Sequence, residues 1–140
     1  MKIKVKKLHP DAKLPMYSLP GDAGLDLNCL EELTIKAGER QQIRTGLAIE
    51  LPPGYCALVW DKSGLSHNHG LVTLGGVFEY TYRGEYKLML LNTSANDHHF
   101  NKGDKVAQLL IQPIATAEVE EVDELSPSPR QDRGFGSTGK

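Results

Sequence analysis

Turn signals containing glycine or proline divide this chain into short pieces, and that spacing limits the folds open to it. Four signals, LPGD, KAGE, LPPG and NKGD, lie at residues 19–22, 36–39, 51–54 and 101–104. The segments between them are rich in apolar and β-branched residues, at 33–35, 42–49, 56–60, 86–91 and 106–114. Many short strands without a sustained 3.6-residue period predict an all-β sandwich or barrel. We expect one short helical turn, around residues 63–67.

Length and charge narrow the class of protein. The 140 residues suffice for one domain with a modest core. The formal net charge is -2, so no global field attracts nucleic acid or an anionic membrane, and we expect neither as a partner. Near the N-terminus Lys2, Lys4 and Lys6 alternate with Ile3 and Val5, which is typical of an edge strand with one wet face.

The cysteines and the aliphatic runs indicate a cellular location. Cys29 and Cys56 lack CxxC spacing, and no secretory segment precedes them, so we expect small buried thiols rather than a disulfide. Aliphatic runs such as residues 88–91 are strand-sized, far below the length that spans a membrane. These features predict a soluble intracellular, cytoplasmic domain.

The composition changes after about Glu118, where acidic residues alternate with valine and leucine. The run SPSP at 126–129 then interrupts regular structure, and residues 130–140 contain three glycines and a single aromatic ring. Such a segment cannot bury enough surface to offset its conformational entropy, so we expect a domain at 1–125 and a mobile arm at 126–140. Its arginines, hydroxyls and ring suit closure over a phosphorylated aromatic ligand; a disordered tail is the alternative.

Three short motifs carry polar groups suited to a phosphorylated ligand. Lys62, Ser63 and Gly64 follow an apolar strand and can hold phosphate oxygens, although a helix N-terminus uses the same residue types. Asp26 lies between leucines and needs a partner, either a hydrated Mg2+ or a buried salt bridge. Gln108 is an amide in a strongly apolar strand, where it can also satisfy backbone groups.

A fourth motif, GGVFEYTYRGEY at 75–86, places Glu79 between two aromatic residues. Glu79 is either an exposed strand residue or a carboxylate beside a ligand. His67, His69, His98 and His99 have no carboxylate or cysteine at metal-ligand spacing, so we expect loop or surface positions. Trp60 and Tyr55 are interpreted as core or interface packing.

Five motifs occur in a fixed order along the chain: AGLDL at 23–27, KSGLS at 62–66, GGVFEYTYRGE at 75–85, GDKVAQLLI at 103–111 and RGFGSTG at 133–139. In this order they resemble the trimeric dUTP pyrophosphatase (dUTPase) family over essentially the whole length. The resemblance implies a jelly-roll-like distorted β-barrel, a homotrimer with active sites at subunit interfaces, and a C-terminal arm that closes over a neighbouring subunit's site. It also implies Mg2+-dependent hydrolysis of dUTP to dUMP and pyrophosphate by water attack on the α-phosphorus.

The resemblance also implies roles for individual residues. Glu79 would be the general base, and Asp26 would reach Mg2+ through water. The phosphates would be bound by Lys62, Ser63, Gly64, Gln108, Arg130, Ser137 and Thr138. The nucleoside would be bound by Thr73, Gly76, Val77, Phe78, Tyr82 and Phe135, with Tyr82 under the deoxyribose and Phe135 stacked on the base.

The chain departs from the family pattern at three places. Glu79 stands where the family has aspartate, which moves the carboxylate outward by about 1.5 Å, and displacements of that size cost on the order of a hundredfold in rate in an uncompensated pocket. Lys62 replaces the usual arginine and is a point charge rather than a bidentate fork. The arm loses two glycines and gains Arg133, which can share the clamp with Arg130.

Two other functions fit the same fold. A dCTP-acting deaminase of the same superfamily needs a glutamate on the strand after the hairpin, and residues 87–92 (KLMLLN) lack it. A nucleotide-binding regulator with impaired turnover would follow from a misplaced Glu79. The arm motif RGFGSTG argues against the regulator, because it serves little purpose without closure over a triphosphate.

Overall fold

The computed structural model describes residues 1–133, so the expectations for Phe135, Ser137 and Thr138 lie outside the described residues. Within residues 1–133 the chain consists of short strands and a single helix, which confirms the predicted all-β class. In chain order the elements are β1 Lys4–Lys7, β2 Leu25–Asn28, β3 Leu33–Ile35, β4 Arg40–Arg44, β5 Leu47–Glu50, β6 Tyr55–Trp60, α1 Ser63–His69, β7 Leu71–Leu74, β8 Val77–Glu79, β9 Lys87–Asn92, β10 His98–Phe100 and β11 Lys105–Pro113.

The strands pair in an entirely antiparallel way. One sheet has the order β2-β11-β6-β8 and a second has the order β4-β9-β7, while β1 pairs with β5 and β10 with β3. Among the strands of residues 1–133, β1 pairs with β5 alone. Lys4 and Lys6 are exposed and Val5 is half-buried, as expected for a lysine-rich edge strand. Leu27, Ile43 and Leu109 are among the fully buried side chains of the core.

Two predicted element boundaries were wrong. Residues 42–49 form two strands rather than one, because Thr45 and Gly46 break the pairing. Gly46 has φ +69°, and an added Cβ there would lie 3.0 Å from Ala12 Cβ. Thr45 turns inward instead and donates its hydroxyl to the carbonyl of Tyr86 at 2.7 Å. The helix continues two residues beyond the expected 63–67 and ends at Gly70, which has φ +65°.

Side-chain positions confirm some expectations and correct others. Cys29 and Cys56 are buried free thiols, as predicted, and burial raises the pKa of Cys29. Trp60 is 57% exposed, so the core interpretation was wrong and interface packing remains. Its position explains this, because on β6 it has the opposite parity to the inward-facing Ala57 and Val59.

The four histidines lie in regular elements rather than in loops, so that part of the expectation was wrong. His67 and His69 are exposed on α1, and His99 is exposed on β10. His98 is half-buried, with its ring centroid 4.6 Å from that of His69. Among residues 1–133 no group of three or more potential metal ligands comes together, and no helix is long and apolar enough to cross a membrane.

An aromatic cluster lies beneath the segment that follows β7. Phe78 stacks on Tyr86 with ring centroids 4.1 Å apart and an interplanar angle of 10°, and Tyr82 packs at 6.0 Å from Tyr86. Tyr86 is fully buried, and burial raises its pKa to about 12. Its hydroxyl has no hydrogen-bond partner among the described residues, whereas the Tyr82 hydroxyl donates to the Glu85 carbonyl at 3.0 Å.

This contrast makes the two tyrosines a matched pair. Tyr86→Phe should leave the free energy of unfolding unchanged or raise it, because it removes a buried hydroxyl that makes no hydrogen bond. Tyr82→Phe should lower it by about 0.5–1 kcal/mol, because a made bond is lost. Urea denaturation of both variants at equal protein concentration measures the difference. A loss of stability in Tyr86→Phe larger than that in Tyr82→Phe would contradict the assignment.

Candidate active site

The outward face of the β2-β11-β6-β8 sheet carries the polar residues of interest. Asp26 on β2 is paired with Gln108 on β11, and Gln108 is paired with Trp60 on β6. Directly opposite residues share a sheet face, so these three side chains lie on the side away from the core. Alternation along β2 places Leu25 and Leu27 in the core and leaves Asp26 outside it.

Asp26 is the centre of an ion-pair cluster, which we call the Asp26 cluster and which comprises Ser18, Asp26, Lys62 and Lys105. Lys62 Nζ lies 2.5 Å from Asp26 Oδ1, and Lys105 Nζ lies 2.6 Å from Oδ2. The Ser18 hydroxyl donates to Oδ2 at 2.5 Å and accepts from Lys105 at 2.6 Å. Of the two partners expected for this carboxylate, the structure shows the buried salt bridge.

The cluster determines the charge state of Asp26, which is only 6% exposed. Burial alone would raise the pKa of this carboxyl, because it disfavours the charged form. Hydrogen bonds from Lys105, Lys62 and Ser18 outweigh burial and lower the pKa to about 2. Asp26 is therefore a carboxylate at any physiological pH, flanked by two ammonium groups.

Gln108 and Gly24 fit tightly together beside this cluster. Gln108 Nε2 donates to the backbone carbonyl of Asp61 at 3.0 Å, so the amide satisfies a backbone group as the structural alternative predicted. An added Cβ at Gly24 would lie 2.9 Å from Gln108 Oε1, which explains a glycine there. The pairing joins the loop before α1 to β11 and leaves the amide half-buried at the same sheet face.

The first turn of α1 presents backbone donors next to the cluster. Lys62 is the N-cap residue, with φ -82° and ψ 121°, and no side chain of residues 1–133 caps the helix. The first N–H groups of a helix have no intrahelical acceptor and can therefore donate to a ligand. Ser63 and Gly64 are exposed at this end, and the Lys62 side chain turns back to Asp26. The arrangement suits an anion.

The hairpin expected from the sequence is not a paired one, because β7 pairs with β9 and β8 pairs with β6. We keep the name hairpin for the connected segment at residues 73–79, which is held against β6 by close backbone contacts. Asp61 Oδ1 accepts from the Thr73 N–H at 2.6 Å and from its hydroxyl at 2.7 Å. Gly76 accepts from the Val59 N–H at 2.7 Å, and a Cβ at Gly76 would lie 2.4 Å from the Val59 carbonyl oxygen. Any larger residue at 76 would push the hairpin off β6.

Glu79 ends β8 and is exposed, opposite Cys56 on β6. Its carbonyl accepts from the Tyr82 N–H at 3.0 Å, which forms the turn that follows. Tyr82 is exposed on one side, and a Cβ at Gly84 would lie 2.4 Å from its hydroxyl oxygen, so only glycine leaves room for the ring. Within one chain Glu79 is thus an exposed strand residue, as one of the two interpretations held.

The structure divides the sequence-predicted residues into two groups. Asp26, Lys62 and Gln108 meet at one end of the sheet face, whereas Glu79 lies opposite Cys56, four residues along β6 from Trp60. At about 3.3 Å per residue this is roughly 13 Å along the strand. Within one chain, therefore, Asp26, Lys62 and Gln108 lie together and Glu79 lies apart from them.

Arg130 joins neither group within one chain. Residues 114–133 are exposed and contain neither strand nor helix. Within the described residues, the side chains of Arg130 and Arg133 donate hydrogen bonds to carbonyls of residues 129–133. Four of the predicted nucleoside residues, Thr73, Gly76, Val77 and Phe78, lie on the segment at residues 73–79, whereas Tyr82 lies in the turn after β8.

Sequence reasoning missed three residues of this region: Ser18, Asp61 and Lys105. Asp61 immediately precedes the KSG motif, and Lys105 lies three residues before Gln108. Both therefore lie in or beside motifs in which other residues were predicted to bind the ligand. Ser18 lies in a segment without a motif, and its contact with Asp26 arises from the isolated β-bridge between Met16 and Asp26.

The donor set of the Asp26 cluster indicates what kind of cation fits. It offers one carboxylate, both of whose oxygens already accept hydrogen bonds. This does not form an all-protein cage within residues 1–133, and it fits a hydrated Mg2+ held mainly by phosphate oxygens of a ligand, with a single carboxylate reached through water.

Comparison with known proteins agrees with this geometry. The dUTPase family model matches residues 10–139. Curated relatives include the deoxyuridine 5'-triphosphate nucleotidohydrolases of Thermobifida fusca and Hydrogenobaculum sp., each 46% identical over 99% of this chain and over 79% and 99% of their own lengths. Among solved structures, the dUTPase of Staphylococcus bacteriophage 80alpha with dUpNHpp superposes with a TM-score of 0.93 at 29% identity, covering 99% of both chains. A variant dUTPase of phage phi11 of S. aureus, described with a structural Mg(II) ion, has a TM-score of 0.84 at 26% identity, covering 91% of this chain and all of its own.

The lowered pKa of Asp26 predicts a pH-dependent contribution to stability. Because folding favours the ionised form, this contribution is present above pH 3.8 and is lost as the pH falls toward about 2. Asp26→Asn should therefore lower the free energy of unfolding by about 2 kcal/mol at pH 7, with the difference from wild type shrinking across that acid range. Urea denaturation at fixed protein concentration measures it. The exposed Asp11→Asn is the control and should change little; an effect of Asp26→Asn that is independent of pH would contradict the prediction.

Proposed function

Because this chain belongs to the dUTPase family, we propose that it hydrolyses dUTP to dUMP and pyrophosphate in a Mg2+-dependent reaction. Water attacks the α-phosphorus, a new oxygen–phosphorus bond forms, and the bond to the β-phosphate oxygen breaks as pyrophosphate leaves. The observation that carries the proposal is the Asp26 cluster at the uncapped start of α1, on the same sheet face as the exposed carboxylate of Glu79.

Phosphate binding is assigned to the cluster end of the face. The backbone N–H groups at Ser63 and Gly64, the Ser63 hydroxyl and the Lys62 ammonium converge there, and the Gln108 amide lies on the neighbouring strand. Phosphoryl transfer needs chiefly positioning and neutralisation of charge. Mg2+ bound with the phosphates would supply further neutralisation, and Asp26 is the carboxylate that would hold it through water.

Nucleoside binding is assigned to the hairpin at residues 73–79. Its backbone is fixed against β6 through Gly76 and Asp61, so its N–H and C=O groups can present a constant hydrogen-bonding pattern to uracil. Thr73 and Val77 line this edge, whereas the Phe78 side chain faces the core and would contribute its backbone groups. The Tyr82 ring is held by its hydroxyl bond to the Glu85 carbonyl. It would pack under the deoxyribose, where a 2′-hydroxyl would not fit.

Glu79 is proposed as the general base that takes the proton of the attacking water. A base must come within hydrogen-bond reach of that water, so the extra methylene relative to aspartate has to be absorbed by the pocket. The Phe78–Tyr86 stack supports this role, because it holds the strand that carries Glu79 against the core. The carboxylate is exposed and faces away from that stack, as alternation along β8 requires.

A homotrimer with sites between chains accounts for the division of the site. Roughly 13 Å along the strand separates Glu79 from the cluster end within one chain, whereas one nucleotide must reach both. The same face exposes Trp60 and Val77 beside an apolar cavity of about 230 Å3 that they share with Leu58, which suits an interface with another copy. One chain would then supply the hairpin and its neighbour the cluster.

The C-terminal residues complete the proposed site. We assign residues 1–125 to the barrel and 126–140 to an arm that closes over a neighbouring subunit's site. The exposure of residues 114–133, without contacts that fix Arg130 to its own barrel, supports an arm that reaches elsewhere. Arg130, Ser137 and Thr138 would then hold the distal phosphates, and Phe135 would stack on the base.

Measurement of pyrophosphate release with Mg2+ from dUTP, dCTP, dTTP and UTP tests the proposal. Wild type should turn over dUTP alone. Glu79→Gln keeps the size and polarity of the side chain but cannot accept the proton, so kcat should fall by roughly 10²–10⁴-fold. The control Glu85→Gln alters a carboxylate that pairs with Arg44 instead and should retain turnover.

The outcomes separate the candidate functions. Comparable rates in Glu79→Gln would remove Glu79 from the base role. Wild type that binds dUTP without turnover would be the regulator, and release of ammonia from dCTP would identify the deaminase.

Deletion of residues 130–140 tests the arm independently. If the arm binds the distal phosphates, turnover should fall by roughly 10³-fold or more. Residues 130–133 are exposed, so the barrel should remain folded and assembled. Sedimentation measures the assembly, circular dichroism the fold and pyrophosphate release the rate. Unchanged turnover in the deletion variant would refute the closing arm.

A further inference from the structure

The Asp26 cluster contains a second cation, Lys105, to which the roles above assign nothing. Lys105 begins β11 beside a register irregularity between Lys105 and Ala107, and its pairing with Asn28 places it at the sheet face that carries Asp26. Its ammonium contacts only two side chains of the described residues, Asp26 and Ser18, each at 2.6 Å.

We infer that Lys105 is a second phosphate-binding cation, which Asp26 and Ser18 hold in place until a nucleotide arrives. This inference rests on the proposed function, since it concerns the same site and names a further residue that touches the triphosphate. Lys62 and Lys105 would then form a two-cation cradle, with α1 supplying one ammonium group and β11 the other.

Hydrogen-bond accounting shows that Asp26 does not need Lys105 for its own satisfaction. Lys62 donates to Oδ1 and Ser18 donates to Oδ2, so each carboxylate oxygen already has a donor. Two ammonium groups on one carboxylate leave the cluster with a net positive charge. A cluster whose sole purpose was to neutralise a buried aspartate would need a single cation, so the surplus charge indicates an anionic ligand.

Exposure shows which cation can leave the carboxylate. The Lys105 side chain is 50% exposed, whereas that of Lys62 is 27% exposed and Asp26 is buried. Lys105 opens onto a cavity of about 620 Å3 that is also lined by Lys13, Met16 and Tyr17. A flexible four-carbon stem lets the ammonium swing from Asp26 to a nearby phosphate without movement of the backbone.

Charge explains why the Lys105 ammonium would leave Asp26 for the phosphates of a bound nucleotide. A triphosphate presents several formal negative charges, whereas Asp26 presents one and shares it between two lysines. Bonds from lysine to carboxylate and to phosphate are both charge-assisted, so the larger charge of the triphosphate decides between them. When Lys105 moves to the ligand, Asp26 Oδ2 keeps its hydrogen bond from Ser18, so the carboxylate remains satisfied.

Calorimetric titration with the non-hydrolysable analogue dUpNHpp, in the presence of Mg2+, tests the role without relying on turnover. Lys105→Gln should weaken binding about tenfold. It should also make the affinity less sensitive to added salt, because one charge contact is lost. Lys105→Arg keeps the charge and should retain most of the affinity. The matched control is Lys13→Gln, which alters a lysine of the same cavity that donates to the Gly103 carbonyl and should leave binding unchanged.

The overturning result is equally specific. If Lys105→Gln binds dUpNHpp with wild-type affinity and wild-type salt dependence, Lys105 serves only to stabilise Asp26 and the inference fails. Thermal unfolding of each variant confirms that the comparison is made on folded protein. A wild type that binds the analogue but does not hydrolyse dUTP would refute the proposed function while the comparison of variants still decides the role of Lys105.

Discussion

The buried carboxylate of Asp26 is the constraint on which the arrangement of this site depends. A charge that is 6% exposed is tolerated only with partners that more than offset its desolvation, and its partners come from three parts of the chain. Ser18 lies in the segment before β2, Lys62 at the start of α1 and Lys105 on β11. The need to neutralise this one buried carboxylate therefore fixes the positions of Lys62 and Lys105.

Close backbone packing sets the position of the other half of the site. Gly76 packs closely against the Val59 carbonyl, and Asp61 accepts hydrogen bonds from the N–H and the hydroxyl of Thr73. These contacts fix the position of the hairpin on β6. Asp61 also offers its own carbonyl to Gln108. This single residue thus connects the hairpin to β11, which pairs with the strand that carries Asp26.

Local patterns predicted the fold class and the buried thiols, because turn residues and side-chain alternation act within a few residues. The break at Thr45 and Gly46 was missed because its cause is tertiary, a close approach to Ala12 and a hydrogen bond to Tyr86. Lys105 was missed for a similar reason, since only the pairing of β11 with β2 shows that it meets Asp26. Motifs indicated which residues matter, whereas the spacing between Asp26 and Glu79 required the sheet register.

The glutamate at position 79 gains a physical context from its neighbours. Phe78 is stacked on Tyr86, and the Tyr86 hydroxyl is buried without a partner, so packing at this position is favoured over hydrogen bonding. The stacked rings of Phe78 and Tyr86 set the distance of β8 from the core. That distance and the length of the side chain at 79 together determine how far its carboxylate reaches. Glu79 and the Asp26 cluster lie at opposite ends of the face within one chain, so the proposed role of Glu79 requires another chain to supply the residues that bind phosphate. Under that proposal, the reach of the longer carboxylate depends on how two copies pack as well as on the fold of one barrel.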